Sequence, residues 1–218
     1  MDELASTRDK LGEAGFFLGK LQEECSSPMP REPIHFRYYL SAFLNAGYCV
    51  RQHARTEAVC ILRPIRKEMK LSGRTAYEHW EMKWESDLQT SEKNVWDFMN
   101  NNRGQEVHKG RVETVQKEKA VPHERGNYSR LLSGIIDETT VRMNQELGLP
   151  LWTTAWFTAY DHYFPDATGF PDILKTGRKY QSLLQRFVEA LEQMLDGTLK
   201  AAAGSEKNEG QVLQSRTG

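Results

Sequence analysis

Between Glu32 and Arg55 the apolar residues Phe36, Tyr39, Leu40, Phe43, Ala46, Gly47 and Val50 recur every three or four positions, the spacing of one face of an α-helix. A stripe of that length has to be covered from more than one side, so the chain is expected to build a helical bundle around it. Small Ala42, Ala46 and Gly47 leave room for another helix to approach closely. Tyr38, Tyr39 and Ser41 carry polar tips that can reach the edge of a cleft. Pro33 suits the first helical turn, and the expected helix ends near Arg55, because Pro64 and Gly73 interrupt the basic stretch beyond it.

Other helices follow from the same period. Leu4, Leu11, Ala14, Phe17, Leu18 and Leu21 predict one from Leu4 to Glu24, closed by Ser26-Ser27-Pro28-Met29-Pro30. Tyr77, Trp80, Trp84 and Leu88 predict another from Thr75 to Leu88. Ile173, Tyr180, Leu184, Phe187, Leu191 and Leu195 predict a last one from Asp172 to Leu195, with Gly197 as its stop. In between, the period changes. Residues Arg111 to Val121 alternate as a half-exposed strand does, Pro122 to Arg130 read as a loop, and Ile135 to Met143 suit a strand or a short helix. Trp152 to Phe164 is rich in β-branched and aromatic residues and predicts a strand, followed by a turn at Pro165 to Gly169. The expected fold is therefore mainly α: an up-and-down helical bundle over residues 1–196, with a small antiparallel β insertion at 109–170 before the last helix, and a disordered polar tail at 197–218.

The formal net charge is −1, so no global basic signal points to nucleic acid, and binding of that kind has to come from local patches. Arg51 to Arg74 holds seven Arg and Lys against two Glu, and Arg103 to Arg130 holds seven against four. Cys25, Cys49 and Cys60 are odd in number and lack a CxxC spacing, which suits a reducing compartment. The charged start MDELASTRDK lacks an apolar leader, and no apolar run approaches the ~18 residues of a membrane span. The chain is expected to be soluble and cytoplasmic, with no membrane partner.

Residues that can do chemistry gather in Ser91–Gly110. Thr90 or Ser91 can cap a helix there, Glu92 suits its positive first turn, and Val95, Phe98 and Met99 share a face with Trp96 beside them. The run turns polar at Asn100-Asn101-Asn102 and then sets Arg103 five residues ahead of His108. An Arg can neutralise a non-bridging phosphate oxygen while an imidazole moves a proton near neutral pH, so the pair suits a phosphodiester; on a frayed, solvated helix end it would do nothing. Five helical residues turn through about 500°, which leaves the two side chains about 140° apart. They can share a cleft only where the helix ends or loosens, and Gly104 permits that. No Walker A loop, HExxH, GxSxG or paired CxxC competes. His79 has no second ligand four residues on, and no metal or cofactor is expected. Asp161, His162 and Tyr163 form the other acid–base cluster, but on a strand His162 faces away from its neighbours.

The stretch RGQEVH, with Asn102 before it and FRYYLSAFLNAGY on an earlier helix, resembles the HEPN superfamily of helical bundles, in which an Arg, four to six residues and a His lie at the end of a long helix. The resemblance covers Leu4 to His108 and the final helix, and leaves Arg111 to Asp166 as an insertion. It implies metal-independent RNA cleavage of toxin or defence type, by a homodimer that joins two motifs across a cleft. His108 would be general acid or base, Arg103 would stabilise charge on phosphorus, and Asn102 would orient the phosphate. Members commonly carry a polar residue directly after the Arg, where this chain has Gly104. RNA would lie on Arg51, Arg55, Lys109 and Arg111, and an antitoxin-like protein is a further expected partner. Two other readings stay open: an inactive bundle that binds a partner protein or RNA through its basic patches, and a structural dimer whose motif only caps a helix.

Overall fold

In the computed structural model the described residues are 3–26, 33–66, 73–109, 114–122, 138–148, 156–164 and 172–214. They form six helices and a two-stranded sheet: α1 (Ala5–Ser26), α2 (Pro33–Arg66), α3 (Gly73–Asp87), α4 (Thr90–Lys109), β1 (Val115–Pro122), α5 (Glu138–Glu146), β2 (Trp156–Tyr163) and α6 (Ile173–Gln214). The architecture is a mainly α-helical bundle with a small antiparallel β excursion before the last helix.

α2 is the centre of the bundle. Phe36, Leu40, Phe43, Leu44, Ala46 and Val50 are all at most 1% exposed, and the same face continues through Ala54, Ala58 and Leu62. That continuation carries α2 to Arg66, beyond the stop expected near Arg55. Ala54 and Ala58 hold the buried face there while Arg, Gln, Thr and Glu interleave with them, which hides the period from a hydrophobicity reading. Pro64 is accommodated because it lies in the last turn, where only one carbonyl loses its amide partner.

α6 lies along α1, α2 and α4 and buries Tyr180, Leu183, Leu184, Phe187, Val188, Leu191 and Leu195. Its closest approach is at Gly47: a Cβ added there would lie 2.7 Å from Cε1 of Tyr180, so the small residue sets the helix spacing. Asp172 caps α6, its Oδ1 accepting the Lys175 amide at 2.8 Å. The helix does not stop at Gly197 but runs to Gln214, in place of the expected break and disordered tail. Ala201, Ala202 and Ala203 follow the glycine, and their helix propensity outweighs the ~1 kcal/mol a glycine costs.

β1 and β2 pair antiparallel, from Val115 opposite Tyr163 to Pro122 opposite Trp156, and an isolated bridge from Tyr163 to Asp172 ties the sheet to the start of α6. The segment that suited a strand or a helix is helical, as α5. Of the loop expected at Pro122 to Arg130, Pro122 belongs to β1, and the rest of it, like the turn expected at 165–169, lies outside the described residues. Among the described residues no helix is long and apolar enough to cross a membrane.

Candidate functional site on helix α4

α4 is fastened at its start by charge. Its cap is Gln89, ahead of the expected Thr90 or Ser91: Gln89 O accepts the amides of Glu92 and Lys93 at 2.8 and 2.9 Å, and Glu92 Oε2 reaches back to the Gln89 amide at 3.1 Å. The other Glu92 oxygen accepts from Arg186 of α6. That bond from Arg186 is the main reason the Glu92 carboxyl lies below its ordinary pKa.

The middle of α4 is anchored in the core. Val95, Trp96 and Met99 are buried, while Phe98 meets Phe164, just past β2, edge-on at 4.9 Å. Trp96 donates its indole N–H to Glu85 at 3.0 Å and lies under the Arg51 guanidinium at 4.9 Å. Asn100, where the sequence turns polar, faces inward: its Nδ2 donates to Trp96 O at 2.8 Å and its Oδ1 accepts the Tyr180 hydroxyl at 3.2 Å. Burial pushes the Tyr180 phenol far above its ordinary pKa, so it is a fixed donor to Asn100.

Beyond Asn100 the backbone stays helical to Lys109. Asn102, Arg103, His108 and Lys109 occupy this end; their side chains, and Arg111 altogether, lie outside the described residues. The helix does not break at Gly104 as the shared cleft required. Positions 103 and 108 therefore lie on one continuous helix, about 140° apart around its axis.

Arg51 and Arg55, expected to hold RNA, are both engaged inside the molecule. Arg51 spans Glu81 and Glu85 of α3 at 3.0 and 3.1 Å, and Arg55 pairs with Glu78 at 2.5 Å. Burial works against the Arg51 charge, but Glu81 and Glu85 outweigh it and raise the pKa further. A signal for this ladder was present in the sequence: Glu78, Glu81 and Glu85 recur at three and four on α3, opposite the i, i+4 pair Arg51 and Arg55 on α2. Arg63 and Arg74, both within the basic run Arg51–Arg74 noted in the sequence, line with Arg55 an open groove between α2 and α3. The alternative acid–base cluster is divided as a strand requires, with His162 turned in against Phe36 and Asp161 and Tyr163 half-exposed. No protein-family model, curated protein or solved structure matches this chain, so the functional reading rests on its own residues.

Proposed function

We propose that the chain is a metal-independent endoribonuclease of toxin or defence type that acts as a homodimer, with His108 as general acid or base, Arg103 stabilising charge on the phosphorus, and Asn102 orienting the phosphate. The reaction is attack of a ribose 2′-OH on its adjacent phosphate, releasing the 5′-oxygen of the next nucleotide and leaving a 2′,3′-cyclic phosphate. The observation that supports this reading best is the course of α4, a helix locked into the core as far as Asn100 that then continues, still helical, through Arg103 and His108. A helix end on a rigid base suits catalytic groups. The 140° between the two positions argues for a cleft completed by a second copy, Arg103 of one chain working with His108 of the other.

The test is cleavage of single-stranded RNA in EDTA. Wild-type protein should cut with an optimum near neutral pH, and His108→Ala should lower the rate by roughly 10²-fold or more while the fold is kept. Arg103→Lys should also be damaging, because lysine loses the planar fork that grips two phosphate oxygens. Unfolding of His108→Ala would instead assign the histidine a structural role. A second reading, an inactive bundle that binds RNA or a protein partner, is favoured by Gly104 directly after the arginine and by the arginine-lined groove between α2 and α3. It predicts binding without cutting by every preparation.

A further inference from the structure

Folding splits the basic run Arg51–Arg74 in two. Arg51 is taken inward by two carboxylates, whereas Arg55, Arg63 and Arg74 stay around an open groove of about 420 Å³ between α2 and α3. Gln52 and Thr56 line one side, Val59 lies among the arginines, and no lining residue is acidic. Two of the cations are already arranged around an anion. Arg55 and Arg74 both donate to the same oxygen, Oε1 of Glu78, at 2.5 and 2.9 Å, which holds the two guanidiniums side by side. Those bonds, Arg74's first, keep the Glu78 carboxyl below its ordinary pKa. Arg63 is exposed and pairs with no acid among the described residues. Two of the three guanidiniums thus share one carboxylate, and the third has none among the described residues. The N-terminus of α3 adds positive potential at the same place, since Gly73 packs so tightly on the Arg63 backbone that a Cβ there would lie 3.0 Å from its amide nitrogen.

We infer that this groove binds phosphate groups, with Arg55, Arg63 and Arg74 as the ligating cations and Glu78 as the internal anion that a phosphate displaces. Guanidinium forks match phosphate oxygens bidentately; a terminal phosphate offers three non-bridging oxygens, and a backbone phosphodiester, like a carboxylate, offers two. The source of the phosphate is either an RNA backbone or a small phosphorylated molecule. The groove is lined by residues of α2 and α3 and by none of α4. Binding here therefore stands or falls separately from cleavage at Arg103 and His108.

The experiment is fluorescence anisotropy of a labelled 12-nucleotide single-stranded RNA, with competition by pyrophosphate and by a poly-glutamate peptide, using the full chain. The double variant R63A/R74A, whose second site has a side chain 70% exposed and so little packing to lose, should fold normally and bind about tenfold or more weakly. Its salt slope should fall by about one unit. Glu78→Gln should tighten binding several-fold by releasing Arg55 and Arg74, a gain that a merely structural role for Glu78 would not produce. Cys60 is exposed in the same groove, so bound pyrophosphate should also slow its alkylation. Displacement of RNA by pyrophosphate supports the backbone as ligand. Protection of Cys60 by pyrophosphate with no RNA binding supports a small phosphorylated molecule. The inference is overturned if R63A/R74A binds as the wild type does, if Glu78→Gln weakens binding, if poly-glutamate competes as well as pyrophosphate, or if neither probe binds.

Discussion

His162 lies flat against Phe36, with ring centroids 3.4 Å apart and planes 7° apart, and is 6% exposed. Its Nδ1 is buried without a partner, and its Nε2 is 3.5 Å from Gln116 Nε2. Burial pushes its pKa down to about 4, with Arg37 acting the same way and Asp161 opposing. The folded chain therefore holds the ring neutral while the unfolded chain takes up a proton near pH 6.5. The stability this contributes is fully present above pH 6.5 and is lost as the pH falls toward 4, reaching up to about 2 kcal/mol by pH 5. Urea melts at pH 7 and pH 5 check this, and His162→Phe should flatten the difference. Arg51 makes the opposite case, a half-buried charge that spans two carboxylates, with its Nε buried and without a hydrogen-bond partner among the described residues. Arg51→Met should destabilise by roughly 3 kcal/mol, because Glu81 and Glu85 would be left beside each other without their cation. A thermal melt that leaves the midpoint unchanged would show that the two carboxylates are solvated without it.

At the scale of elements, α1 is held at its N-terminus by a residue of α2. The Glu57 carboxylate accepts the Ser6 and Thr7 amides at 3.0 and 3.1 Å and the Thr7 hydroxyl at 2.6 Å. Burial acts to raise the Glu57 pKa, but these bonds outweigh it and hold the group low. Its stabilising effect is thus present above the ordinary glutamate pKa and lost as the pH falls below it. Glu57→Gln should cost about 1–2 kcal/mol in denaturant titrations at pH 7. Gly47→Val tests the other contact between elements: the added carbons meet the Tyr180 ring and should cost about 1–3 kcal/mol by forcing α6 away. The contact at Gly47 was legible in the sequence because a small residue inside an apolar stripe has one common use. The trans cap by Glu57 was not, because it joins residues fifty positions apart. Nor was the length of α2 and α6, since alanine and glycine mute the apolar period that marks a helix. The Arg103–His108 spacing was legible as a motif, yet the unbroken course of α4 through Gly104 was not, because a glycine permits a break without requiring one.

For the whole molecule, the bundle core anchors α4 through Val95, Trp96 and Met99, and an arginine groove lies between α2 and α3. If two copies complete one cleft, light scattering at micromolar concentration should give about twice the 25.1 kDa chain mass. A monomer would remove the shared cleft. The most direct measurement mixes two inactive proteins, Arg103→Ala and His108→Ala, and assays cleavage of single-stranded RNA in EDTA beside the wild type. In a shared cleft the mixed dimer holds one intact site, made from the histidine of the first variant and the arginine of the second. Mixed dimers are half of a fully exchanged population, so activity should return to about a quarter of wild type, with 2′,3′-cyclic phosphate ends. A mixture as inactive as its components, or a wild type that cuts no more than a mock-purified control, would contradict the account.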